Sequence, residues 1–287
     1  MSHLLTIRDL TPDCLRQILA LSERPANRRP LRGKGVALYF EKPSARTRNS
    51  MEMAVVQLGG HPVTIQKEEI GLGSRESAAD VARTLACYHS LIAARVHDHG
   101  LLEQMAASVR APVLNMLSAT DHPLQALADL LTIQQLLGRI EGARVAYIGD
   151  ANNVARSLAE GCSMLGAELI VASPPGHGFA DPPPGVRQVT DPAEAVEAAE
   201  IVYTDVWVSM GQSDSEDRRA LFAPYQVDAK LMAHSSGAWF MHCLPARRDE
   251  EVTDEVIESD RSAIWLQAEN RMHTARGAMA WMLGVHL

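Results

Sequence analysis

The chain has 287 residues, which is enough for two domains of ordinary size. Hydrophobic residues make up 46% and charged residues 22%, a composition typical of a soluble globular protein. The formal net charge of -8 argues against nucleic acid or an anionic membrane as the main partner, so a site for anionic substrates must depend on locally clustered arginine and histidine.

Three features favour a cytoplasmic protein. No segment approaches the roughly 18 apolar residues of a membrane helix. Residues 1–9 lack a charged segment followed by an apolar core, so no signal peptide is expected. The cysteines, Cys14, Cys87, Cys162 and Cys243, show no paired spacing, which predicts reduced thiols with neither disulfides nor zinc.

The first half of the chain alternates helical and strand-like segments. Thr11 is an N-cap followed by proline, and it predicts a helix to about Leu21. Residues 36–40 form a short apolar run of strand character, and apolar residues at helical spacing follow up to Leu58. The other segments predicted here are strands at 62–66, 91–96 and 112–117, a helix at 77–88, and a long helix that begins at His122-Pro123.

The alternation restarts after a break near residues 136–142. The segments predicted in this half are strands at 143–148, 169–172, 201–204, 239–243 and 262–266, helices after 153 and after 191, a loop at 173–185, a polar, lid-like stretch at 211–219, and a closing helix at 269–283. Such alternation predicts an α/β fold of two doubly wound parallel-sheet domains joined by interdomain helices. We expect one domain at 1–136, a second at 137–267, and a C-terminal helix at 268–287 that packs back on the first.

The turn after the 36–40 strand is a candidate phosphate cradle. Ser44, Arg46, Thr47 and Arg48 lie where that strand meets the next helix. Free backbone N–H groups and the helix dipole attract anions at such a turn, and arginines add forked, charge-assisted donors. The pattern is not a Walker loop, so a capped helix with solvated arginines remains the competing interpretation.

Further polar residues lie at other predicted strand ends, where ligands bind in open α/β sheets. Arg95 ends the 91–96 strand, although a surface ion pair would also explain it. His122 can donate to a carbonyl oxygen and Gln125 can hold an amide, and their spacing puts them on one helix face. A capping role before proline is the alternative for His122.

The second half offers a site of different character. Asn153 opens a helix without the Gly-rich fingerprint of a dinucleotide fold, so it could hold a substrate carboxylate instead. Asp205 ends the 201–204 strand and suits an ammonium group, or it serves only as an N-cap. Cys243 at another strand end would by itself be buried filler.

Four motifs, taken together and in order, resemble those of the aspartate/ornithine carbamoyltransferase family. They are Ser-x-Arg-Thr-Arg at 44–48, His-Pro-x-Gln at 122–125, Ser-Met-Gly at 209–211 and His-Cys-Leu-Pro at 242–245. The strand-end Arg95 and the Ala-Glu-Asn-Arg segment at 268–271 match the same pattern, so the resemblance spans nearly the whole chain. Two positions depart from it: Ala45 replaces the usual threonine, and Gly71 stands where many relatives carry a Gln or His that reaches a neighbouring subunit's site.

The resemblance implies transfer of a carbamoyl group from carbamoyl phosphate to the δ-amine of L-ornithine, giving L-citrulline and phosphate, as in arginine biosynthesis. No metal or organic cofactor is implied, because the phosphoanhydride already activates the carbonyl. It also implies a homotrimer or a multiple of trimers, with neither nucleic acid nor membrane as a partner.

The resemblance also implies the roles of individual residues. The implied carbamoyl phosphate ligands are Ser44, Ala45, Arg46, Thr47, Arg95, His122, Gln125 and Arg271. The implied ornithine ligands are Asn153, Asp205, Ser209, Met210, Cys243 and Leu244. The residues implied to act in catalysis are Arg46, Arg95, His122 and Cys243.

Three other functions stay open at this stage. A sister carbamoyltransferase for putrescine or another amine would keep the first half and change the Ser-Met-Gly loop. A nucleotide-binding oxidoreductase would need a Gly-rich fingerprint, which the 149–153 turn lacks. A non-catalytic relative would be a binding module, and Ala45 is its only support. A citrulline assay with a panel of amines separates these functions.

Overall fold

The computed structural model describes residues 3–25, 27–208, 215–235 and 237–286. The chain divides into two compact units, Met1–Ala128 with Asn270–Leu287, and Asp129–Glu269. Each unit contains a parallel sheet with helices, so the predicted α/β class with two doubly wound sheets is confirmed. Among the described residues, no helix is long and apolar enough to cross a membrane.

The sheet of the first unit has four parallel strands in the order β2-β1-β3-β4. Its strands are β1 (Gly35–Phe40), β2 (His61–Gln66), β3 (His89–Arg95) and β4 (Val113–Leu117). After its first residue β1 is buried throughout, as expected for a central parallel strand that is covered on both faces. Its direct partners are β2 and β3, and Phe40 pairs in register with Arg95. The ends of β1 and β3 therefore lie side by side.

Helices follow or precede each of these strands. They are α1 (Pro12–Glu23), α2 (Ala45–Gln57), α3 (Lys67–Ile70), α4 (Ala78–Tyr88), α5 (His99–Ser108), α6 (Pro123–Leu137) and α12 (Ile264–Met282), of which α6 and α12 continue across the unit boundaries. Hydroxyl N-caps fix where two of them begin: Thr11 Oγ1 accepts from the Cys14 N–H at 3.2 Å, and Ser77 Oγ accepts from the Asp80 N–H at 3.1 Å.

The sheet of the second unit has five parallel strands in the order β7-β6-β5-β8-β9. Its strands are β5 (Arg144–Ile148), β6 (Glu168–Ala172), β7 (Val186–Val189), β8 (Ile201–Thr204) and β9 (Trp239–His242). Its other helices are α7 (Asn153–Leu165), α8 (Pro192–Val196), α9 (Glu216–Phe222), α10 (Ala229–Met232) and α11 (Asp254–Ile257). The strand order reverses between β5 and β8, so the turn after β5 and the end of β8 flank a switch point, where ligands bind in this class of fold.

One predicted strand is wrong, and several elements were missed: the helices α3, α5, α9, α10 and α11 and the strand β7, of which α9 begins within the stretch at 211–219 that was predicted to be lid-like. Residues 262–266 do not form a strand: Ser262 makes a single bridge to Phe240, and α12 begins at Ile264. A short apolar run fits a strand and a buried helix turn equally well, which explains the error. The helix α5 and the half-exposed edge strand β7 had no clear apolar period in the sequence.

Close packing of α12 against α1 depends on a glycine within the first unit. A Cβ added at Gly277 would lie 2.8 Å from the Ile18 carbonyl oxygen and would collide with Ser22 Oγ. Because the Ile18 oxygen belongs to the backbone, a rotamer change does not relieve the contact. Gly277 therefore sets how closely the two helices approach.

Gly277→Ala should lower the free energy of unfolding by about 2 kcal/mol or more, although alanine favours a helix over glycine by about 1 kcal/mol. Urea unfolding of the variant and wild type measures the loss. The double variant Gly277→Ala with Ser22→Ala should recover only part of it, because the Ile18 carbonyl stays in place. A Gly277→Ala protein as stable as wild type would contradict the packing described here.

Candidate active site

The turn between β1 and α2 ends in an N-capped helix whose first turn carries two hydroxyl groups. Ser44 is the N-cap of α2, and its Oγ accepts from the Thr47 N–H at 3.4 Å. The Ser44 and Thr47 hydroxyls bond to each other at 3.1 Å, and Thr47 is buried. From the neighbouring strand β3, Arg95 Nη1 donates to Thr47 Oγ1 at 3.4 Å. The structure thus joins Ser44, Thr47 and Arg95 in one cluster, as the sequence predicted.

Like charges converge on this cluster. Burial, as the main cause, and the nearby cations of Arg271 and Arg46 together lower the pKa of Arg95 to about 10. Arg271 is itself buried. The Nε of Arg95 is buried and has no hydrogen-bond partner among the described residues. Arginines that are brought together against their mutual repulsion predict an anion that neutralises them.

His122 lies in the same field and is neutral at physiological pH. Burial holds the pKa of His122 well below its ordinary value, and the cations of Arg271 and Arg95 lower it further. Gln125 is also buried, on the first turn of α6. His122, immediately before α6, therefore lies near Arg95 and Arg271, and its ring is an uncharged hydrogen-bonding group.

Two residues of the turn take no part in that cluster. Arg48 Nε bonds to Glu52 Oε1 at 2.8 Å, and the same oxygen accepts from Thr64 Oγ1 at 2.7 Å, so Arg48 is used on the helix surface. Ala45 is the first residue of α2 and is exposed. Of the two arginines in the motif, Arg46 is the one whose charge acts on Arg95.

In the second unit, Asn152 organises the turn between β5 and α7, a role that the sequence analysis missed. Its Oδ1 accepts from the Val154 and Ala155 N–H groups at 2.9 and 3.1 Å, which caps α7. Its Nδ2 donates to Asp205 Oδ2 at 2.8 Å, at the end of β8. Asn153 is the first helical residue and is half-buried. An Asn-Asn pair at a helix start was the available signal, but only the contact across the sheet separates the two roles.

Asp205 is a buried carboxylate held by neutral donors. Besides Asn152, its Oδ1 accepts from the Val206 N–H at 2.8 Å and from Cys243 Sγ at 3.0 Å. Burial raises the pKa of Cys243 well above its ordinary value, and the charge of Asp205 raises it further. Cys243 is therefore a thiol that donates to Asp205, rather than a thiolate.

The chain turns sharply after Cys243. Leu244 has a φ of 60° and precedes a cis proline bond. Its N–H donates to His242 Nδ1 at 2.9 Å, and His242 Nε2 bonds to Glu251 Oε1 at 3.1 Å, with both side chains fully buried. The Nδ1 atom must accept, so the ring carries its proton on Nε2. The Leu244 backbone is thus fixed by an internal hydrogen-bond chain.

Asp205, His242 and Cys243 each place one potential metal-ligand atom within 4.8 Å of the others. Their bonds argue against a metal site. Both ring nitrogens of His242 are engaged, and the Cys243 thiol donates to Asp205. The arrangement is satisfied by hydrogen bonds within the protein, and it offers no free imidazole lone pair for a metal. The predicted ornithine residues Ser209 and Met210 lie outside the described residues.

Comparison with known families covers both units. The family described as aspartate/ornithine carbamoyltransferase, carbamoyl-P binding domain, matches residues 2–135. The family described as aspartate/ornithine carbamoyltransferase, Asp/Orn binding domain, matches residues 141–282. Arg46, Arg95 and His122 lie within the first match, and Arg271, Asp205 and Cys243 lie within the second.

Individual relatives agree over most of their length. A Hyperthermus butylicus protein named ornithine carbamoyltransferase is 49% identical over 268 residues, which cover 88% of this chain and 85% of that protein. A Pyrococcus furiosus protein named anabolic ornithine carbamoyltransferase is 44% identical over 270 residues, covering 89% and 86%. A solved ornithine carbamoyltransferase structure from Pyrococcus furiosus has a TM-score of 0.93 at 41% identity, covering 99% of this chain and 98% of that one.

The depressed pKa of His122 makes a prediction about stability. The folded chain keeps His122 neutral, whereas the unfolded chain protonates it below its ordinary value of 6.5, so stability falls as pH drops through that value. Between pH 7 and pH 5 the free energy of unfolding of His122→Gln should fall by about 2 kcal/mol less than that of wild type. Urea unfolding at both pH values measures it, with the exposed His234→Gln as control. An unchanged pH dependence in His122→Gln would show that His122 is not held neutral.

Proposed function

Because this chain belongs to the aspartate/ornithine carbamoyltransferase family, we propose that it transfers the carbamoyl group of carbamoyl phosphate to the δ-amine of L-ornithine, giving L-citrulline and phosphate. The observation that carries this proposal is the convergence of Arg46 and Arg271 on Arg95 in the first unit, with a neutral His122 near Arg95 and Arg271. An anion with an attached carbonyl is the ligand that this set complements. The anabolic naming of one relative favours a role in arginine biosynthesis.

We propose that the first unit is the carbamoyl phosphate-binding domain. Ser44, Arg46 and the first backbone N–H groups of α2 would hold the phosphate, as a helix N-terminus holds anions. Arg95 and His122 would face the carbonyl oxygen, and the buried Nε of Arg95 is a donor available for it. Gln125 would orient the carbamoyl amide, and Arg271 would add its charge to the phosphate side. The hydroxyl that Ala45 lacks is one contact among many, so its loss leaves the cradle in place.

We propose that the second unit binds ornithine. Asp205 would hold the α-ammonium, because in the contacts described above its oxygens accept from neutral donors and no cation pairs with it. Asn153 would hold the α-carboxylate at the start of α7. Ser209 and Met210 are assigned to the same substrate by their motif alone. Cys243 and Leu244 would lie near the δ-nitrogen on the fixed turn after β9.

The chemistry follows from these placements. The neutral δ-amine attacks the carbonyl carbon, and the carbonyl oxygen gains negative charge. The C=O bond then re-forms as the C–O bond to phosphate breaks, and the proton lost by the amine leaves with the phosphate. The protein contributes position and charge stabilisation, and a neutral His122 can donate its one ring N–H to the oxygen. Because phosphate is already a good leaving group, the proposed step uses neither a metal nor an organic cofactor.

We further propose a cytoplasmic homotrimer or a multiple of trimers. Met53 and Val56 form an exposed apolar face on α2, and a second copy of the chain would cover it. The four cysteines are free thiols, which fits a reducing compartment. Light scattering after size exclusion should give about three times the chain mass of 31.3 kDa, or a multiple of that value. A monomer at micromolar concentration would contradict the assembly.

The second substrate is tested by Asp205→Asn, which keeps the shape and removes the charge. Losing a charge-assisted contact should lower kcat/KM for ornithine by about thirty- to a thousandfold and should leave the KM for carbamoyl phosphate nearly unchanged. Steady-state citrulline formation with both substrates varied is the measurement. Asp191→Asn is the matched control, because Asp191 caps α8 in the same unit and asparagine caps equally well.

The same assay on wild type should include putrescine and aspartate. Putrescine has no carboxylate for Asn153, and Asp205 would repel aspartate, so ornithine should be preferred. A preference for either competitor would overturn the ornithine assignment. No turnover with any amine would support a binding module instead. A weakened KM for carbamoyl phosphate in Asp205→Asn would show that Asp205 belongs to the other substrate.

A further inference from the structure

A carboxylate that contacts neither proposed substrate lies beneath the ends of β8 and β9. Asp129, in α6, is completely shielded from solvent. The Tyr203 hydroxyl, from β8, donates to its Oδ2 at 3.2 Å. The side-chain amide of Gln267, from α12, donates to its Oδ1 at 2.7 Å. β8 and α12 are far apart in the sequence, and both thus donate a side-chain hydrogen bond to the same carboxylate.

Gln267 also contacts the backbone of the residue that precedes Cys243. Its Oε1 accepts from the His242 N–H at 2.8 Å, and its side chain is buried. Because a carboxylate can only accept, Asp129 forces the Gln267 NH₂ group to face it and the Gln267 oxygen to face His242. Asp129 therefore decides which way Gln267 points, and Gln267 holds the last residue of β9 before Cys243.

Tyr203, held by Asp129, also restricts the position of the strand end that carries Asp205. The Tyr203 ring stacks on Tyr147 with centroids 5.4 Å apart, and its hydroxyl is pinned by Asp129. Asp205 follows two residues later. The charge of Asp129 also reaches this region, because burial raises the pKa of Tyr203 and Asp129 raises it further. Both strand ends that carry proposed ornithine ligands thus depend on one buried group.

We propose that Asp129 is a positioning residue for the second substrate, which fixes through Gln267 and Tyr203 the strand ends from which Cys243 and Asp205 project. The inference rests on the proposed function. The proposed role depends on the hydrogen-bond pattern around Asp129 more than on its charge. The Gln267 NH₂ must face Asp129 so that the Gln267 oxygen can accept from the His242 N–H, next to Cys243. That distinction makes it testable with isosteric substitutions.

The first variant is Gln267→Glu, which keeps the shape and the acceptor for the His242 N–H. The new carboxylate can donate to Asp129 only while the pair shares a proton, since two carboxylates at hydrogen-bond distance do not both ionise easily. The ratio of kcat/KM for ornithine in the variant to that in wild type should therefore fall by about tenfold or more between pH 7 and pH 9. The ionisable groups around this pair are Tyr203, Cys243 and Asp205. Dividing by the wild-type value at each pH removes the pH dependence that the ornithine amine contributes.

The rescue variant is Asp129→Asn with Gln267→Glu. The new amide at 129 donates to the new carboxylate at 267, which still accepts from His242, so the pattern returns with the charge moved by one position. Its kcat/KM for ornithine should recover to within about threefold of Asp129→Asn alone and should lose the extra pH dependence. Asp129→Asn alone can satisfy both neighbours, with its oxygen toward Gln267 and its NH₂ toward the Tyr203 hydroxyl, so its loss should be small.

The controls separate positioning from folding. Each variant is assayed where circular dichroism shows it fully folded, and Ser22→Ala, which removes a buried hydrogen bond in α1, should change stability without changing kcat or either KM. The KM for carbamoyl phosphate should stay within about twofold in all variants. Wild-type pH dependence in Gln267→Glu, or a double variant no better than Gln267→Glu, would overturn the positioning role while wild type still makes citrulline. A wild type that makes no citrulline would overturn the proposed function instead.

Discussion

Parallel pairing of the strands is the constraint on which everything else in this protein depends. It brings the carboxyl ends of β1 and β3 side by side in the first unit, and those of β5, β8 and β9 to one edge in the second. Residues far apart in sequence, such as Thr47 and Arg95 or Asn152 and Asp205, become neighbours for this reason. The sheet determines where the polar side chains at the strand ends lie, and the residue types at those positions determine what they can bind.

The two units bury charges of opposite sign and surround them differently. The first collects arginines around Arg95, whose pKa is lowered because burial and like charges both disfavour the cation. The second buries carboxylates, Asp129 and Asp205, and surrounds their oxygens with hydroxyl, amide and thiol donors. An incomplete cation cluster calls for an anionic ligand, whereas a carboxylate with neutral donors retains its charge for a cationic one.

Sequence reasoning reached the residues that sit in motifs and missed those that act through a contact across the fold. Arg95, His122 and Asp205 were predicted because each lies at a strand or helix end. Asn152 was passed over because an N-cap explains it locally, and Gln267 because its partners lie 25 and 138 residues away. The false strand at 262–266 has the same origin, since only packing shows that its apolar residues start a helix. Two sheets with parallel strands were predictable, because alternation of helices and strands repeats along the chain.

The thiol of Cys243 shows what such burial means for durability. Only the thiolate reacts readily with peroxides and electrophiles, and burial beside Asp205 keeps Cys243 from forming it. The exposed Cys87 has no such shelter. Oxidative damage would therefore reach the surface of the first unit before it reached the turn after β9. The hydrogen bond to Asp205 that holds the Cys243 side chain therefore also helps to keep its sulfur unreactive at a position where substrate is expected.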